Sequence, residues 1–191
     1  MKGEHRITVL NGVLECLKGG IRPDVYLNSV LDFQPPDGIT HILFDLEGTL
    51  TGYGKAEPAP GVKEKLESLA RQGYKCIILS NKPPKMNKGK ADFLVKVREN
   101  FGIPIVDNLC YKPSPNAFDE AMKLNGCTDP NKMAMVGDKL ALDILGARKA
   151  GLGYAVLVKP IPSGLEPAYL WFYRPIEWLY LRRFKPGRQN I

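Results

Sequence analysis

Cysteine and histidine are scarce in this sequence, and a long apolar run is missing from it. Of its 191 residues, 4 are cysteines and 2 are histidines, and no two cysteines form a CxxC pair. Neither a disulfide framework nor a cysteine-based metal site is expected, so the cysteines are predicted to be reduced core thiols. Charged residues interrupt the apolar ones up to Gly19 and Gly20, which argues against a signal peptide or a membrane span. These absences favour the cytoplasm or an organelle matrix.

Short apolar runs alternate with helical patterns through the middle of the chain. The runs span residues 41–44, 76–79, 103–106, 133–136 and 154–158, and the helical patterns span 62–72, 90–100, 115–124 and 140–150. Alternating strands and crossover helices predict a five-stranded parallel sheet with helices on both faces, a three-layer, Rossmann-like α/β fold. Ligands of such sheets bind at the carboxyl ends of the strands.

The length and composition fit one buried domain with an extension at each end, since 44% of the residues are hydrophobic. We expect an N-terminal helical segment over residues 1–38 and a core domain over 39–160. Residues 161–191 are expected to form a basic, aromatic C-terminal helix and tail.

Acidic, small and polar residues stand where the apolar runs end. They are Asp45, Glu47 and Thr49 after the first run, Ser80 and Asn81 after the second, Lys112 after the third, and Asp138 and Asp143 after the fourth. Because parallel strands end at one edge of the sheet, these side chains are expected to converge. Carboxylates, a lysine and hydroxyls together suit phosphoryl transfer, since a cation must offset the repulsion between a phosphate ester and a carboxylate nucleophile.

A distinct role is predicted for each group. Asp45 is the expected nucleophile, which forms an aspartyl-phosphate, and Glu47 is the expected acid and base for the leaving oxygen and for water. Mg²⁺ is expected on Asp45, Asp138 and the backbone carbonyl of Glu47. Lys112 is expected to bridge Asp45 and the phosphoryl group, whose oxygens Ser80 and backbone N–H groups hold.

These motifs resemble those of the haloacid dehalogenase (HAD) superfamily. Its pattern of DxDxT, Ser or Thr, Lys, and an acidic pair near GD appears here as Asp45 to Thr49, Ser80, Lys112, and GDKLALD from Gly137 to Asp143. RPDVYLNSVLDF, ILSNKP and VGDKLALDILGARKAGL resemble the YqeG-like branch of subfamily IIIA, which is similar to phosphatidylglycerophosphate phosphatases. The resemblance implies a magnesium-dependent phosphomonoesterase, and a phospholipid head group as its substrate.

Several neighbouring residues receive supporting roles. Thr49, Asn81 and Lys112 are grouped with Ser80 as substrate-binding residues. Asp143 has three open roles, in order of preference: orienting Lys112, contacting the water shell of the metal, or binding the metal directly. His41 lies within a strand pattern and is expected to be structural. Residues 82–90 are expected to form a basic loop beside the site.

One position departs from the family pattern, because Glu47 stands where the family has Asp. The extra methylene moves the carboxylate by about one bond length, and a displacement of ~1 Å can cost ~10²-fold in rate. Reduced activity is therefore expected. A HAD-fold binding protein without turnover is the alternative from a different class.

The spacing of the motifs leaves no room for a cap domain. Residues 50–79 and 82–111, which lie between the motifs, must already hold the helices and strands of the core. An uncapped site favours a bulky substrate such as phosphatidylglycerophosphate. The second candidate is a phosphatase for soluble nucleotide or sugar esters, with a homodimer covering the site.

Both ends of the chain carry apolar helical patterns. The pattern at Ile7–Leu17 could dock on the core, on a second copy or on lipid. Pro175 and Glu177 predict a helix start within the aromatic and basic stretch Trp171–Phe184. That helix could pack on its own domain or lie peripherally on a membrane. The basic residues of the C-terminal end could attract an anionic surface such as acidic lipid or nucleic acid, or form a solvated end. No nucleic-acid motif is found.

Overall fold

A parallel sheet of six strands organises the computed structural model, which describes residues 2–81, 88–106, 111–164, 168 and 170–182. The strands are β1 Val25–Leu27, β2 His41–Phe44, β3 Lys75–Leu79, β4 Ile105–Val106, β5 Met133–Gly137 and β6 Tyr154–Val158. The helices are α1 Lys2–Gly19, α2 Val62–Arg71, α3 Lys88–Phe101, α4 Pro115–Asn125, α5 Leu145–Lys149 and α6 Leu170–Leu181. The predicted α/β class and parallel sheet are confirmed.

The prediction of five strands is wrong, because β1 adds a sixth at the edge of the sheet. It pairs in parallel with β6, with Val25 opposite Val156. Just before it, the backbone N–H of Ala155 donates to the Asp24 carboxylate over 2.7 Å. A strand of three residues is too short to show a periodic pattern, so only its partner on β6 reveals it.

Side chains of the central strands alternate between two buried layers. On β2, Ile42 and Phe44 pack in one layer with Phe33 and with side chains of α2 and α3. Leu43 packs in the other layer, which Phe118 of α4 also enters. Successive strand residues face opposite sides, and here both sides are covered, so the strands are apolar at every position.

Strands β2 and β5 lie side by side where the strand order changes direction. The full order is β1-β6-β5-β2-β3-β4, so the chain winds to one side after β2 and to the other after β5. Phe44 pairs with Val136, and the N–H of Asp45 donates to the Val136 carbonyl over 2.9 Å. Ligands of open α/β sheets bind at such a switch point. The ends of β2 and β5 are therefore the place to look for a site.

The terminal helices pack behind the end of β5. A Cβ atom at Gly12 of α1 would lie 2.8 Å from the Ala141 carbonyl oxygen, so α1 sits directly on the π-helical turn Leu140–Ile144. The Tyr180 hydroxyl of α6 donates to the Cys16 carbonyl of α1 over 3.2 Å. Both helices are thereby fixed to the segment that follows β5.

The boundaries of these helices differ from the predicted ones. The helix expected at Ile7–Leu17 is confirmed, and α1 is longer at both ends, from Lys2 to Gly19. The predicted helix start at Pro175 is wrong, because α6 begins at Leu170 and carries that proline inside it. Proline removes one helical hydrogen bond, and side-chain contacts of α6 with the core, described below, hold the helix in its place.

The remaining expectations concern cysteines, loops and membrane spans. Cys16, Cys76 and Cys127 are free and buried, as predicted. Cys110, residues 82–87 of the predicted loop and the tail beyond residue 182 lie outside the described residues. The loop prediction is wrong for residues 88–90, because α3 begins at Lys88. Across the part of the chain that the structure describes, no helix has the length and apolar character needed to cross a membrane.

Candidate active site

Lys112 lies between two buried carboxylates at the carboxyl ends of β2 and β5. Its Nζ atom is 2.6 Å from Asp45 Oδ1 and 2.7 Å from Asp143 Oδ1. These are the lengths of charge-assisted hydrogen bonds, and all three side chains are buried. The structure therefore brings together three residues from three segments of the sequence.

Asn81 fixes the backbone of Lys112. Its side-chain nitrogen donates to the Lys112 carbonyl over 3.1 Å, and its side-chain oxygen accepts from the Lys112 N–H over 2.8 Å. This reciprocal pair ties the end of β3 to the segment after β4. Asn81 thus positions the lysine, and its expected contact with substrate stays a prediction.

Lys139, which was not among the site residues predicted from the sequence, reaches into the same cluster. Its Nζ atom lies 3.1 Å from Asp45 Oδ2, 2.5 Å from Asp138 Oδ1 and 3.2 Å from the Glu47 carbonyl oxygen. One ammonium group thus joins the ends of β2 and β5. The available sequence signal was its position directly after Asp138 in GDKLALD, between two acids.

Two further residues missed at the sequence level hold Asp138. The Tyr53 hydroxyl donates to Asp138 Oδ2 over 2.8 Å. The guanidinium of Arg174 donates to the carboxylate and to the backbone carbonyl of Asp138. Of the two roles left open for the basic C-terminal end, the solvated one does not hold for Arg174. No local pattern connects residues 36 positions apart, so the sequence carried no signal for this contact.

The loop after β2 presses its backbone against Asp138. Gly48 has a φ of +89°, and a Cβ atom there would collide with the Asp138 carboxylate. Glycine alone adopts this conformation without strain and leaves this space open. The carboxylate of the neighbouring Glu47 accepts a hydrogen bond at Oε1 from the Gly54 N–H over 2.7 Å.

The predicted hydroxyl residues and His41 have different surroundings. Thr49 is buried, and its hydroxyl has no hydrogen-bond partner among the described residues. Leaving a buried hydroxyl unpaired costs about 1–3 kcal/mol. A buried hydroxyl in this position therefore indicates a ligand or a water molecule as its partner. Ser80 directly follows β3 and is half-buried. His41 begins β2 and lies at the opposite end of that strand from Asp45.

Electrostatics favour a deprotonated Asp45. Burial opposes its ionisation, but Lys112 and Lys139 outweigh burial and hold the pKa of Asp45 well below its usual range. Burial also disfavours the two ammonium groups, yet the surrounding carboxylates raise the pKa of both lysines. Burial, with the Asp45 charge in support, raises the pKa of Asp143 to about 6 against the effect of Lys112. At neutral pH the site holds an anionic Asp45 between two cations.

The carboxylates of this cluster could hold a divalent cation. One oxygen atom from each of Asp45, Asp138 and Asp143 lies within 4.8 Å of the others, and all three residues are buried. The Glu47 carbonyl oxygen joins Asp45 and Asp138 around a single point, because all three contact Lys139 Nζ. A few carboxylate and carbonyl oxygens are the ligands that Mg²⁺ takes in proteins, so these residues fit such an ion.

A parallel sheet with a buried aspartate, paired to a lysine, at the end of a central strand agrees with the fold and site expected of a HAD-type hydrolase. A sequence profile of the haloacid dehalogenase-like hydrolases matches residues 27–151, and the chain belongs to this family. It is 26% identical over 151 residues to the probable phosphatase YqeG of Bacillus subtilis (strain 168), covering 77% of this chain and 82% of that protein. The resemblance to the HAD superfamily is confirmed, and the similarity to YqeG agrees with the predicted resemblance to the YqeG-like branch.

A solved structure shares the same fold. The crystal structure of an uncharacterized protein from Listeria monocytogenes serotype 4b superposes with a TM-score of 0.53 at 22% sequence identity. The match covers 76% of this chain and 100% of that one.

Proposed function

We propose that this protein is a magnesium-dependent phosphatase that hydrolyses phosphomonoesters through an aspartyl-phosphate on Asp45. The observation that carries the proposal is the environment of Asp45, a buried and ionised carboxylate with Lys112 on one oxygen and Lys139 on the other. Membership of a hydrolase family and the similarity to a probable phosphatase support it.

In this mechanism an oxygen of Asp45 attacks the phosphorus atom, and the bond from phosphorus to the ester oxygen breaks. The ester oxygen takes a proton from Glu47 and departs as an alcohol. Glu47 then removes a proton from water, whose oxygen attacks the phosphorus and releases Asp45 and inorganic phosphate. Lys112 stabilises the charge that develops on the phosphoryl oxygens. A cation held by Asp45, Asp138 and the Glu47 carbonyl would offset the repulsion between ester and carboxylate.

Glu47 is the residue on which the rate of this scheme depends. Its carboxylate is held by the Gly54 N–H, and the side chain is half-buried. To protonate the ester oxygen, the Glu47 carboxylate has to break or distort its hydrogen bond with the Gly54 N–H. Because this lowers the fraction of molecules in the reactive geometry, we expect a reduced rate rather than none. Glu47→Asp is expected to match or exceed the wild type.

The binding-protein alternative is disfavoured by the energetics of the cluster. Burying Asp45, Lys112 and Asp143 together requires removal of three charges from water, and such groups are often no more stabilising than apolar residues. A protein that needed only the fold would gain nothing from them. Perturbed, buried charges at a strand end are typical of functional sites.

A bulky ester is the proposed substrate, with phosphatidylglycerophosphate as the first candidate. The short spacing between the motifs supports a site without a cap. Helix α6 adds a second reason, because Trp178 and Leu179 are 52% and 60% exposed and suit a lipid interface. Soluble nucleotide or sugar esters, with a second copy of the chain as a lid, form the other candidate class.

The test uses the full chain and an aryl phosphate with Mg²⁺. Hydrolysis is expected in the wild type, loss to background in Asp45→Asn, and no change in Asp37→Asn, which alters an exposed aspartate away from the site. Absence of turnover in both the wild type and Glu47→Asp would support the binding protein instead. Phosphatidylglycerophosphate in vesicles is then compared with soluble esters, and turnover restricted to vesicles supports the lipid substrate.

A further inference from the structure

The ammonium group of Lys139 lies at the point where three oxygen atoms converge. These atoms are Asp45 Oδ2, Asp138 Oδ1 and the Glu47 carbonyl oxygen, at 3.1, 2.5 and 3.2 Å from Nζ. They are also the three groups proposed above to hold a divalent cation. A cationic side chain of the protein therefore occupies the coordination point of the proposed metal.

The two cations cannot share this point. Mg²⁺ binds oxygen at about 2.0–2.1 Å, whereas an ammonium group needs about 2.7–3.2 Å to each acceptor. If both were present, the three oxygen atoms would have to move closer together around Mg²⁺ while the ammonium group of Lys139 remained between them. Binding of a divalent ion at this point therefore requires Nζ of Lys139 to leave.

The charges around Lys139 are balanced by the protein itself. Three buried carboxylates, Asp45, Asp138 and Asp143, face three cationic side chains, and these are Lys112, Lys139 and Arg174. Glu177 adds a further carboxyl beside Arg174, at 3.3 Å. Without an added ion the carboxylates are already compensated. A divalent ion entering this cluster would leave uncompensated positive charge in a buried site unless one cation withdrew.

Of the three cationic side chains, Lys139 is the one suited to withdraw. Lys112 is 2% exposed and held on two carboxylates. Arg174 is 26% exposed, but it contacts Oδ2 and the backbone carbonyl of Asp138, so its withdrawal would not vacate the point where Oδ1 lies. Lys139 is 11% exposed and ends in a compact ammonium on a flexible four-carbon stem. The face of the Tyr53 ring, 5.1 Å from Nζ, lines one side of its position.

We propose that Lys139 is an internal cation of the metal site, which holds Asp45, Asp138 and the Glu47 carbonyl together before metal binds and which the metal must displace. This inference rests on the proposed use of a divalent cation. It gives Lys139 two measurable effects: it lowers the affinity for metal, and it stabilises the metal-free protein. A purely structural ion pair would have the second effect without the first.

The test measures Mn²⁺ binding to the full-length protein by electron paramagnetic resonance of the free ion, together with thermal unfolding in EDTA. Lys139→Met removes the charge and keeps most of the volume. Its affinity for Mn²⁺ is expected to rise at least about tenfold, and its metal-free unfolding temperature is expected to fall and to recover with saturating Mn²⁺. Lys149→Met removes an exposed lysine paired with Glu15 and should change neither quantity.

Equal or weaker Mn²⁺ binding by folded Lys139→Met overturns the inference while leaving the proposed function intact. If Lys139→Met folds only with metal, Lys139→Gln is titrated in its place against the same criterion. Absence of Mn²⁺ binding by the wild type and by both variants overturns the inference and the proposed metal dependence together. Phosphatase activity enters none of these readouts.

Discussion

Arg174 of α6 donates hydrogen bonds to both the carboxylate and the backbone carbonyl of Asp138 at the end of β5. The contact connects the C-terminal helix to a residue of the candidate metal site. On the same helix, Trp178 and Leu179 are largely exposed. A partner that binds the exposed side chains of α6 would therefore contact the same helix that positions Asp138.

Replacing Arg174 is expected to weaken both the fold and the site. Arg174→Gln leaves the Asp138 carboxylate without one of its donors in a buried place, and we expect a loss of about 2 kcal/mol in the free energy of unfolding. Hydrolysis of an aryl phosphate should fall by about tenfold, because Asp138 loses its orientation. The matched variant Arg182→Gln alters an exposed arginine over the Trp178 ring and should cost under about 1 kcal/mol. Urea denaturation measures the stability of the two variants, and initial rates measure their activity. Equal losses of stability and activity in Arg174→Gln and Arg182→Gln would contradict a role of Arg174 in holding Asp138.

Replacing Lys112 alone is expected to lower the free energy of unfolding far more than replacing Lys112 together with one of its carboxylate partners. Lys112→Met leaves Asp45 and Asp143 buried without the ammonium group between them. We expect the free energy of unfolding to fall by about 3–5 kcal/mol. Lys112→Met with Asp143→Asn removes one charge of each sign and should recover a large part of that loss, without recovering activity. Denaturation midpoints of the two single variants and the double variant form the measurement. Additive effects would show that the three groups are not coupled.

Gly48 and Gly73 offer a matched pair of substitutions. Both have φ near +90°, but a Cβ atom at Gly73 meets nothing within 4 Å, whereas one at Gly48 collides with the Asp138 carboxylate. Gly73→Ala should cost about 1–2 kcal/mol from the left-handed backbone alone. Gly48→Ala should cost more than this and also abolish measurable hydrolysis, because it displaces Asp138. Similar activity in both variants would contradict the proposed role of this carboxylate.

The stability of the protein is expected to depend on pH through Glu177. Burial raises the pKa of Glu177 from 4.5 to about 7, with Arg174 opposing the shift. The folded protein thus keeps this proton up to about pH 7, while the unfolded chain releases it near pH 4.5. Its contribution to stability is present below pH 4.5 and is lost as the pH rises through 7.

Glu177→Gln mimics the protonated form and isolates this effect. The variant should match the wild type near pH 4.5 and exceed its free energy of unfolding at pH 8 by on the order of 2 kcal/mol. Glu67→Gln, at an exposed position of α2, should show no such difference. Urea denaturation across this pH range provides the curves, and a constant offset between Glu177→Gln and the wild type would refute the expectation.

Local patterns in the sequence were sufficient for the layers of the fold and for several residues of the candidate site. The apolar runs predicted β2 through β6 because strands covered on both faces must be apolar at every position. Polar residues after those runs predicted that Asp45, Lys112 and Asp143 would lie close together, because parallel strands end at one edge of the sheet. Each of these inferences depends on neighbours in the chain or on a rule of topology.

Tertiary packing alone decided the rest. The three-residue β1 exists through its partner on β6, and Arg174 reaches Asp138 only because α6 folds back across the end of β5. The conformation of Lys139 depends on the distance between the ends of β2 and β5, which no residue pattern encodes. By itself the sequence determined that Asp45, Lys112, Asp138 and Asp143 would lie at the edge of the sheet, but not that Lys139 and Arg174 would join them. Their pairing was left to the structure, because the energy of a buried charge depends on atomic distances and on the exclusion of water.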